Sequence, residues 1–339
     1  MSAVVHVTAM LAFGAAEGFC FALSGMADPA SFRQQMVFSK NILLKVFVAA
    51  VGSSMLFQAL FALMAPKKFH DTRNYKFQSA GFGRVMGGCL LLGSGMAIAG
   101  TGPTMMPSQV GAAVSSAPYL ILGAFAGGAL FAAIEELGLA ATHFSERKEK
   151  LVLEEIVGGS YEVLALVGGA AMLAGDLYFA QSIWPDRYDA QPGNFIPPVV
   201  AGMAVGLAQV PLRLMNGGGQ GGSRAIMNII AGVTGGKLSG RFAINNVKQA
   251  GQLLYVWGGT LLGSYIACRM YNVRSPAGYS PMASFAGAAL ALFGSRLAGG
   301  CACGHGVTGF SELGLESMAG AACIFAGGIA TMFVSGLAS

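Results

Sequence analysis

Long apolar runs are the feature that most constrains this chain. A helix needs roughly 20 mostly apolar residues to cross the hydrocarbon core of a bilayer, and the sequence contains nine runs of about that length. Only 10% of its 339 residues are charged, whereas soluble domains carry about 25%. We therefore expect an all-α integral membrane protein. The predicted spans are 4–26, 42–65, 81–100, 118–141, 159–183, 197–216, 250–271, 281–300 and 318–337.

Three shorter apolar pieces, at 104–114, 222–234 and 305–314, each follow a glycine-rich break and are too short to cross. We expect them to be re-entrant half-helices. Irregular backbone at membrane depth is tolerated only where protein or a water-filled cavity receives its polar groups. The breaks therefore indicate where a pathway would lie.

The order of helix, glycine-rich break, short helix and full helix occurs twice. The break at 95–102 corresponds to the one at 294–301, and the letters FAGG occur at both 125–128 and 325–328. We expect two pseudo-symmetric membrane repeats, 1–142 and 159–339, joined by a charged surface linker at 143–158. Repeats with breaks at matching positions are typical of transporters, with the site between the halves.

Lysine and arginine are unevenly distributed between the loops. With nine spans, one side holds most of them, and the positive-inside rule then places the N-terminus in the cytoplasm. We read the first apolar stretch, which contains Glu17, as a membrane helix and not as a cleaved leader. The net charge of +5 is too modest to predict a nucleic-acid partner, and it fits loops that face anionic lipid.

The stretch with the most specific chemistry is LAGGCACGHGVTG, residues 297–309. Its glycines allow close approach of the backbone to a small ligand. A half-helix starting near His305 would direct free N–H groups at Gly300, Cys301 and Gly304, which favours an anion. Cys301 would add a soft, weak S–H donor there.

Three other interpretations of Cys301, Cys303 and His305 stay open. Their two-residue spacing would suit a metal, but zinc sites more often show CxxC pairs with a second ligand cluster, so we expect no metal. A disulfide between Cys301 and Cys303 would require a sharp turn of the backbone. The break could also be a packing feature that contains cysteines incidentally.

The pattern LAGGCxxGHGxxG resembles the signature of the YeeE/YedE sulphur-transport family. Residues 18–35 resemble the first re-entrant region of that family, and residues 206–211 followed by Gly222 and Ser223 resemble its third. The resemblance implies an inner (plasma) membrane protein with pseudo-symmetric halves. It also implies uptake of thiosulfate, passed between cysteine thiols along a narrow centre.

The chain departs from the family pattern at two of three cysteine positions. Cys301 occupies the last, but the others fall on Gly102 and near Ala27. Cys20 and Cys89 lie several residues away and are candidate substitutes. Thr101 and Thr104 could offer hydroxyl donors instead.

Ionisable residues inside a membrane are functional candidates. Arg296, deep in its helix, is a candidate anion attractor, whereas Arg84 lies near a helix start and could reach the interface. Arg213 and Arg224 flank the 216–223 break and could also be interfacial. Glu17 and Asp176 could pair with a buried arginine or carry a proton, and we favour structural pairing.

The sequence thus predicts a transporter that takes up a small sulphur-containing anion, thiosulfate in the first place. Two alternatives stay open: a thiol-based protein that passes persulfide to a cytosolic sulphur carrier, and a channel for a non-sulphur solute. A P-loop, an HExxH motif and a Ser-His-Asp order are absent from the sequence, and we expect neither an enzyme nor a cofactor.

Overall fold

The computed structural model describes residues 2–73, 78–79, 81–137, 145–146, 151–179 and 195–336. In this part of the chain almost all regular structure is helical. The helices are α1 (Ala3–Leu23), α2 (Pro29–Met36), α3 (Ile42–Met64), α4 (Pro66–Thr72), α5 (Phe82–Ala99), α6 (Met106–Gly111), α7 (Ala117–Glu136), α8 (Leu153–Val157), α9 (Tyr161–Tyr178), α10 (Pro198–Asn216), α11 (Gly222–Val233), α12 (Gly251–Leu253), α13 (Leu261–Met270), α14 (Pro281–Ala298) and α15 (Leu315–Val334).

Two π-helices, one short 3₁₀ turn and one small strand pair complete these elements. The first π-helix is Leu254–Thr260, and the second is Ala302–Gly309. The turn is Gly240–Phe242, and the strands β1 (Gln78–Ser79) and β2 (Ser145–Glu146) pair antiparallel.

Seven of the helices are long and apolar enough to cross a membrane. They are α1, α3, α5, α7, α9, α10 and α15. An eighth crossing is formed if α14 and the second π-helix, which are bent by 47° at their break, count as one span. The all-α membrane fold is therefore confirmed, but the count of nine is not. The remaining predicted span, 250–271, is helical from Gly251 to Met270 but is divided by the first π-helix.

Glycines with left-handed backbone end the helices at the predicted breaks. Gly100 ends α5 with φ 67°, Gly217 ends α10 with φ 72°, and Gly299 ends α14 with φ 82°. Glycine adopts this conformation without the steric cost that a side chain brings. The short helices α6, α11 and the second π-helix follow these breaks, as predicted. Helix α2, which begins at Pro29 behind the capping side chain of Asp28, is a further short helix.

The long helices pack in matched pairs. Helix α5 packs against α14. Each of the two also packs against one further long helix: α5 against α15, and α14 against α7. Helix α10 packs on α3 as α1 packs on the first π-helix and α13. These matched pairs are what two related halves would produce, although the symmetry itself stays a prediction. Because the pairs cross between the halves, the halves share one core.

Close packing of α5 on α14 depends on glycines that face each other. A methyl group on Gly88 would lie 2.7 Å from the carbonyl oxygen of Gly294, and one on Gly95 would lie 2.5 Å from that of Gly287. Reciprocally, Gly287 faces the carbonyl of Gly95 at 2.9 Å. Small residues allow membrane helices to approach this closely. The glycines therefore hold the ends of α5 and α14, where the two breaks begin.

The described end of the predicted linker is not a free loop. Val152 is buried and bridges Gly314 in an antiparallel backbone contact. Leu153 N–H donates to the Leu313 carbonyl, and Leu315 N–H donates to the Leu151 carbonyl. This end of the linker is therefore attached to the segment that follows the second π-helix. Linker residues 143–144 and 147–150 lie outside the described residues.

Two adjacent glycines of α5 offer a matched test of this packing. We expect Gly88→Ala to lower the melting temperature of the detergent-solubilised protein by several degrees, because overpacking a tight contact costs about 1–3 kcal/mol. A methyl group on Gly87 would meet no atom within 4 Å, so Gly87→Ala should leave the melting temperature unchanged or slightly raised. Equal melting temperatures for the two variants would contradict this account of the packing.

Candidate functional site

Three breaks of the chain meet at one point inside the protein. Thr104, which follows the end of α5, places its hydroxyl oxygen 3.7 Å from the sulfur of Cys301. The start of α11 packs on the same threonine, since a methyl group on Gly222 would lie 2.6 Å from the Thr104 Cα. The backbone of three separate segments thus comes together around Thr104 and Cys301.

A cavity of about 780 Å³ extends from this point. It is lined by Val85, Asn216, Gly218, Gly219, Gln220, Gly221, Ser223, Arg224, Arg241, Phe242, Asn246, Lys248, Gln249, Gln252, Arg296, Ala298, Gly299, Gly300, Cys301, Gly304, His305, Thr308 and Glu316. Most of these residues are polar or glycine. Because such a lining can receive water and exposed backbone, the irregular segments are tolerated at this depth.

Basic side chains outnumber acidic ones in the cavity lining. Arg224, Arg241, Lys248 and Arg296 are basic, and Glu316 is the acidic residue of the lining. Arg241 is also ion-paired with Glu135. Clefts lined by one sign of charge concentrate ligands of the opposite sign. The cavity is therefore suited to an anion.

Arg296 is the most deeply buried of these cations. It lies in the last turn of α14 and is 5% exposed. Its Nη1 donates to the Ser223 hydroxyl at 3.5 Å, and its guanidinium lies 4.6 Å from the ring centre of Phe242. Its Nε atom has no hydrogen-bond partner among the described residues. Arg296 is thus held beside the start of α11 with one donor unused.

Cys301 lines the cavity and directly precedes the second π-helix. The residue is 1% exposed, and its carbonyl accepts from the His305 N–H at 2.9 Å. Its thiol faces the Thr104 hydroxyl, so a weak donor and a stronger one lie side by side. Cys303 also interacts with the Thr104 side chain.

His305 braces the break between α14 and the second π-helix. Its Nε2 lies 3.1 Å from the Ala298 carbonyl oxygen, and its Nδ1 lies 3.3 Å from the Ser317 hydroxyl. Both ring nitrogens are therefore engaged in holding the chain. Among the described residues, no group of three His, Cys, Asp or Glu side chains could hold a metal ion.

A buried ion pair fixes the chain just beyond the second π-helix. Arg213 of α10 pairs with Glu312, and both side chains are 1% exposed. Arg213 also donates to Gln58 at 2.9 Å, and Arg73 donates to the Glu312 carbonyl at 2.6 Å. The sequence predicted that Arg213 flanks the 216–223 break and could lie at the interface. The structure corrects this, because the guanidinium is committed to Glu312 and Gln58.

The twelve predicted site residues divide between the cavity and the core behind it. Six line the cavity: Ser223, Arg296, Gly300, Cys301, Gly304 and His305. The lining lacks the other six, which are Cys20, Cys89, Thr101, Gly102, Thr104 and Cys303. Of these, Thr104 and Cys303 adjoin Cys301, as described above.

The remaining four predicted residues are absent from the cavity lining. Cys89 is fully buried, and a methyl group on Gly320 would lie 3.1 Å from its sulfur. Thr101 is also buried, and Gly102 faces Met96. Cys20 is half-buried on α1, one helical turn from Glu17.

The position where the family pattern would place its first cysteine is apolar. Ala27 packs with Ala112 and Val114, and Cys268 of α13 packs against the same cluster. A thiol from a different helix therefore lies near this position. Sequence alignment alone could not indicate it, since Cys268 is far from Ala27 along the chain.

Several lining residues escaped the sequence analysis. Gln220 lies within the glycine-rich break, and Gln252 fastens that break by accepting from Gly221 N–H at 2.9 Å and donating to the Gly219 carbonyl at 2.7 Å. Arg241 and Lys248 come from the loop before α12. Their signal was the group of six polar residues between 241 and 252, which on its own is typical of a solvated loop.

A family model described as sulphur transport matches residues 23–330. The matched region begins at the end of α1 and includes every break described above. No curated protein matches the chain.

The buried pair below the site provides a stability test. We expect Glu312→Gln to destabilise the protein by about 3–5 kcal/mol, because it leaves the Arg213 charge buried without a counter-charge. Replacing both partners, as Arg213→Met with Glu312→Leu, should recover part of that loss. Thermal unfolding in detergent measures both effects, with Glu162→Gln in α9 as the control. If Glu312→Gln were as stable as the control, the ion pair would not be needed for stability.

Proposed function

The chain belongs to the sulphur-transport family, and on this basis we propose that it takes up thiosulfate across the membrane. The observation that carries the proposal is the basic cavity that Cys301 lines. The family and the seven spans make the chain an integral membrane transport protein. The choice of thiosulfate, and the path past Cys301, are what we propose beyond that.

Thiosulfate combines two kinds of recognition in one small ion. Its oxygens are hard acceptors that suit the Arg296 guanidinium and the Ser223 hydroxyl. Its terminal sulfur is large and polarisable, and it suits weak donors such as the Cys301 thiol. Shallow binding at several such points would allow the ion to leave as readily as it enters. Arg296 would attract the ion, and Cys301 would contact its sulfur.

The contact between Thr104 and Cys301 is the proposed constriction. At 3.7 Å from oxygen to sulfur, no ion passes between them without a small displacement. A hydroxyl and a thiol can both donate to an anion that has lost part of its water. In this chain a threonine hydroxyl would therefore share a role that the family pattern gives to thiols alone.

The direction of transport follows from the predicted orientation. The cavity includes Arg241 and Lys248, which the positive-inside rule assigns to the cytoplasmic side. The cavity would then be the exit from the constriction, in a plasma (inner) membrane. A cytosolic sulphur carrier would collect the product at its mouth, where the basic side chains would attract an acidic partner.

The proposal is tested by uptake of labelled thiosulfate into proteoliposomes. We expect the parent protein to take up the label, and Cys301→Ala to reduce the initial rate at least tenfold because the weak donor is lost. Cys301→Ser restores a donor and should retain part of the rate. Cys323→Ala on α15, which removes a half-buried thiol outside the cavity lining, should behave as the parent.

The same experiment separates the alternatives. An absence of uptake by the parent would exclude thiosulfate transport. Equal uptake by Cys301→Ala would exclude the role of this thiol. Label that stays covalently attached to Cys301 would favour transfer of persulfide to a partner. Solute flux or swelling that is indifferent to Cys301→Ser would favour a channel.

A second test addresses the buried guanidinium. We expect Arg296→Gln to raise the KM for thiosulfate about tenfold, which corresponds to roughly 1.4 kcal/mol of binding free energy. Arg296→Lys keeps the charge but loses the planar set of donors, so its KM should lie between those of the parent and of Arg296→Gln. Arg274→Gln, in the exposed loop before α14, is the control for a lost positive charge. A KM unchanged in Arg296→Gln would contradict the assignment.

A further inference from the structure

Glu17 is a buried carboxyl group that the proposed path does not use. It lies within α1, is 0% exposed and faces the first π-helix and the break before α11. The inference drawn from it rests on the proposed passage of an anion through the cavity. A carboxyl group inside a membrane is costly to keep charged, and such groups in transporters often carry protons.

The partners of Glu17 are both neutral. Gln220 Nε2 donates to Glu17 Oε1 at 2.5 Å, and the Tyr255 hydroxyl donates to Oε2. Within the described part of the chain, no lysine, arginine or histidine is ion-paired with Glu17. The equally buried Glu312 shows the contrast, because it is paired with Arg213. The expected pairing of Glu17 with a buried arginine is therefore not what the structure has.

Gln220 connects Glu17 to the cavity. The residue lines the cavity together with Cys301, and its backbone N–H donates to Gln209 at 3.4 Å. Its Oε1 atom is buried and has no hydrogen-bond partner among the described residues. A buried acceptor without a donor is rare, and it calls for an explanation. A proton on Glu17 would supply the missing donor.

We propose that Glu17 binds a proton together with the transported anion, and that rotation of the Gln220 amide couples the two. With Glu17 ionised, the amide donates N–H to the carboxylate. When a proton from the water-filled path binds Glu17, the new O–H donates to Gln220 Oε1 after the amide turns by half a rotation. The Nε2 group then turns away from Glu17 and is free to donate to an anion. When the anion leaves, the amide turns back and the proton is released to water, so no proton is gained or lost.

The groups around Glu17 are consistent with this role. Tyr255 faces it from the first π-helix, Cys303 from the second π-helix, and Cys20 from α1 itself. Gln220 faces it from the loop before α11. Among the described residues no fixed positive charge adjoins Glu17, so its charge changes by one unit when it binds a proton. Loss of that negative charge also removes repulsion against an anion in the cavity.

Coupling to a proton also meets an energetic requirement. A cytoplasm that is electrically negative opposes the entry of an anion, and the opposition increases with each negative charge carried. A proton that travels with the anion cancels one of these charges. Acidification of the side from which the anion enters would then drive accumulation.

The first measurement uses the parent protein in proteoliposomes with a pH-sensitive dye inside. We expect thiosulfate added outside to acidify the lumen, and an acidic exterior to raise the initial uptake several-fold. Glu17→Gln should keep uptake down a thiosulfate gradient but lose both proton effects. Glu162→Gln, a carboxyl group outside the cavity lining, should match the parent. Thiosulfate uptake by the parent that moves no protons would overturn the proposal.

A second measurement does not depend on transport. Infrared difference spectra of the purified parent, with and without thiosulfate, should show a carbonyl band of a protonated carboxylic acid that shifts in heavy water and is absent from Glu17→Gln. Absence of this band at every working pH would overturn the proposal. If the parent takes up no thiosulfate, the proposed substrate is wrong, and spectra recorded over a pH titration then decide whether Glu17 binds a proton. If Glu17→Gln fails to fold, Tyr255→Phe is measured in its place. This variant keeps the carboxyl group of Glu17 and should retain the band.

Discussion

The structure depends on one constraint: every helix that stops inside the membrane leaves backbone groups that must find partners. At the end of α5, Arg33 donates to the carbonyls of Ala97 and Ile98 at 3.0 and 2.6 Å, and Gln109 donates to the Gly100 carbonyl at 2.8 Å. At the end of α14, His305 reaches the Ala298 carbonyl. Unsatisfied groups would cost several kcal/mol each in a medium without water. The breaks are tolerated because polar side chains donate hydrogen bonds to the carbonyl groups that the helix ends leave free.

This constraint explains how buried charge is arranged in the chain. Arg33 caps the end of α5 and also lies 3.3 Å from the ring centre of Tyr279, so its charge is used structurally. Arg213 is neutralised by Glu312. Among the described residues, Arg296 donates to the Ser223 hydroxyl and lies against aromatic rings, and its Nε has no hydrogen-bond partner. A buried cation with an unused donor beside a cavity gains from a bound anion, because a buried polar group without a hydrogen-bond partner is unfavourable.

The sequence predicted the membrane class and the breaks because both are local. Apolar length predicts a span, and glycine at positions such as Gly100 and Gly299 predicts its end. The motif around Cys301 also identified four of the six predicted residues that line the cavity, namely Gly300, Cys301, Gly304 and His305. What it could not predict depends on contacts between distant segments: Thr104 and Cys301 are 197 positions apart. The pairing of Arg213 with Glu312, and the approach of Gln220 to Glu17, are of the same kind. The count of nine spans is not confirmed either, since a π-helix interrupts the stretch at 250–271.

The two breaks are built alike but differ in what they leave open. In the first half, Arg33 and Gln109 satisfy three carbonyls, so the end of α5 is a closed structure that presents Thr104 toward the centre. In the second half, a single histidine braces the end of α14, and the neighbouring Arg296 and Cys301 face the cavity. Because facing glycines fix α5 against α14, neither break can shift far without separating the two helices. In the proposed path, selectivity would therefore come from the side chains at the meeting point and not from rearrangement of the scaffold. Those side chains are a hydroxyl and a thiol, where the family pattern expects thiols alone.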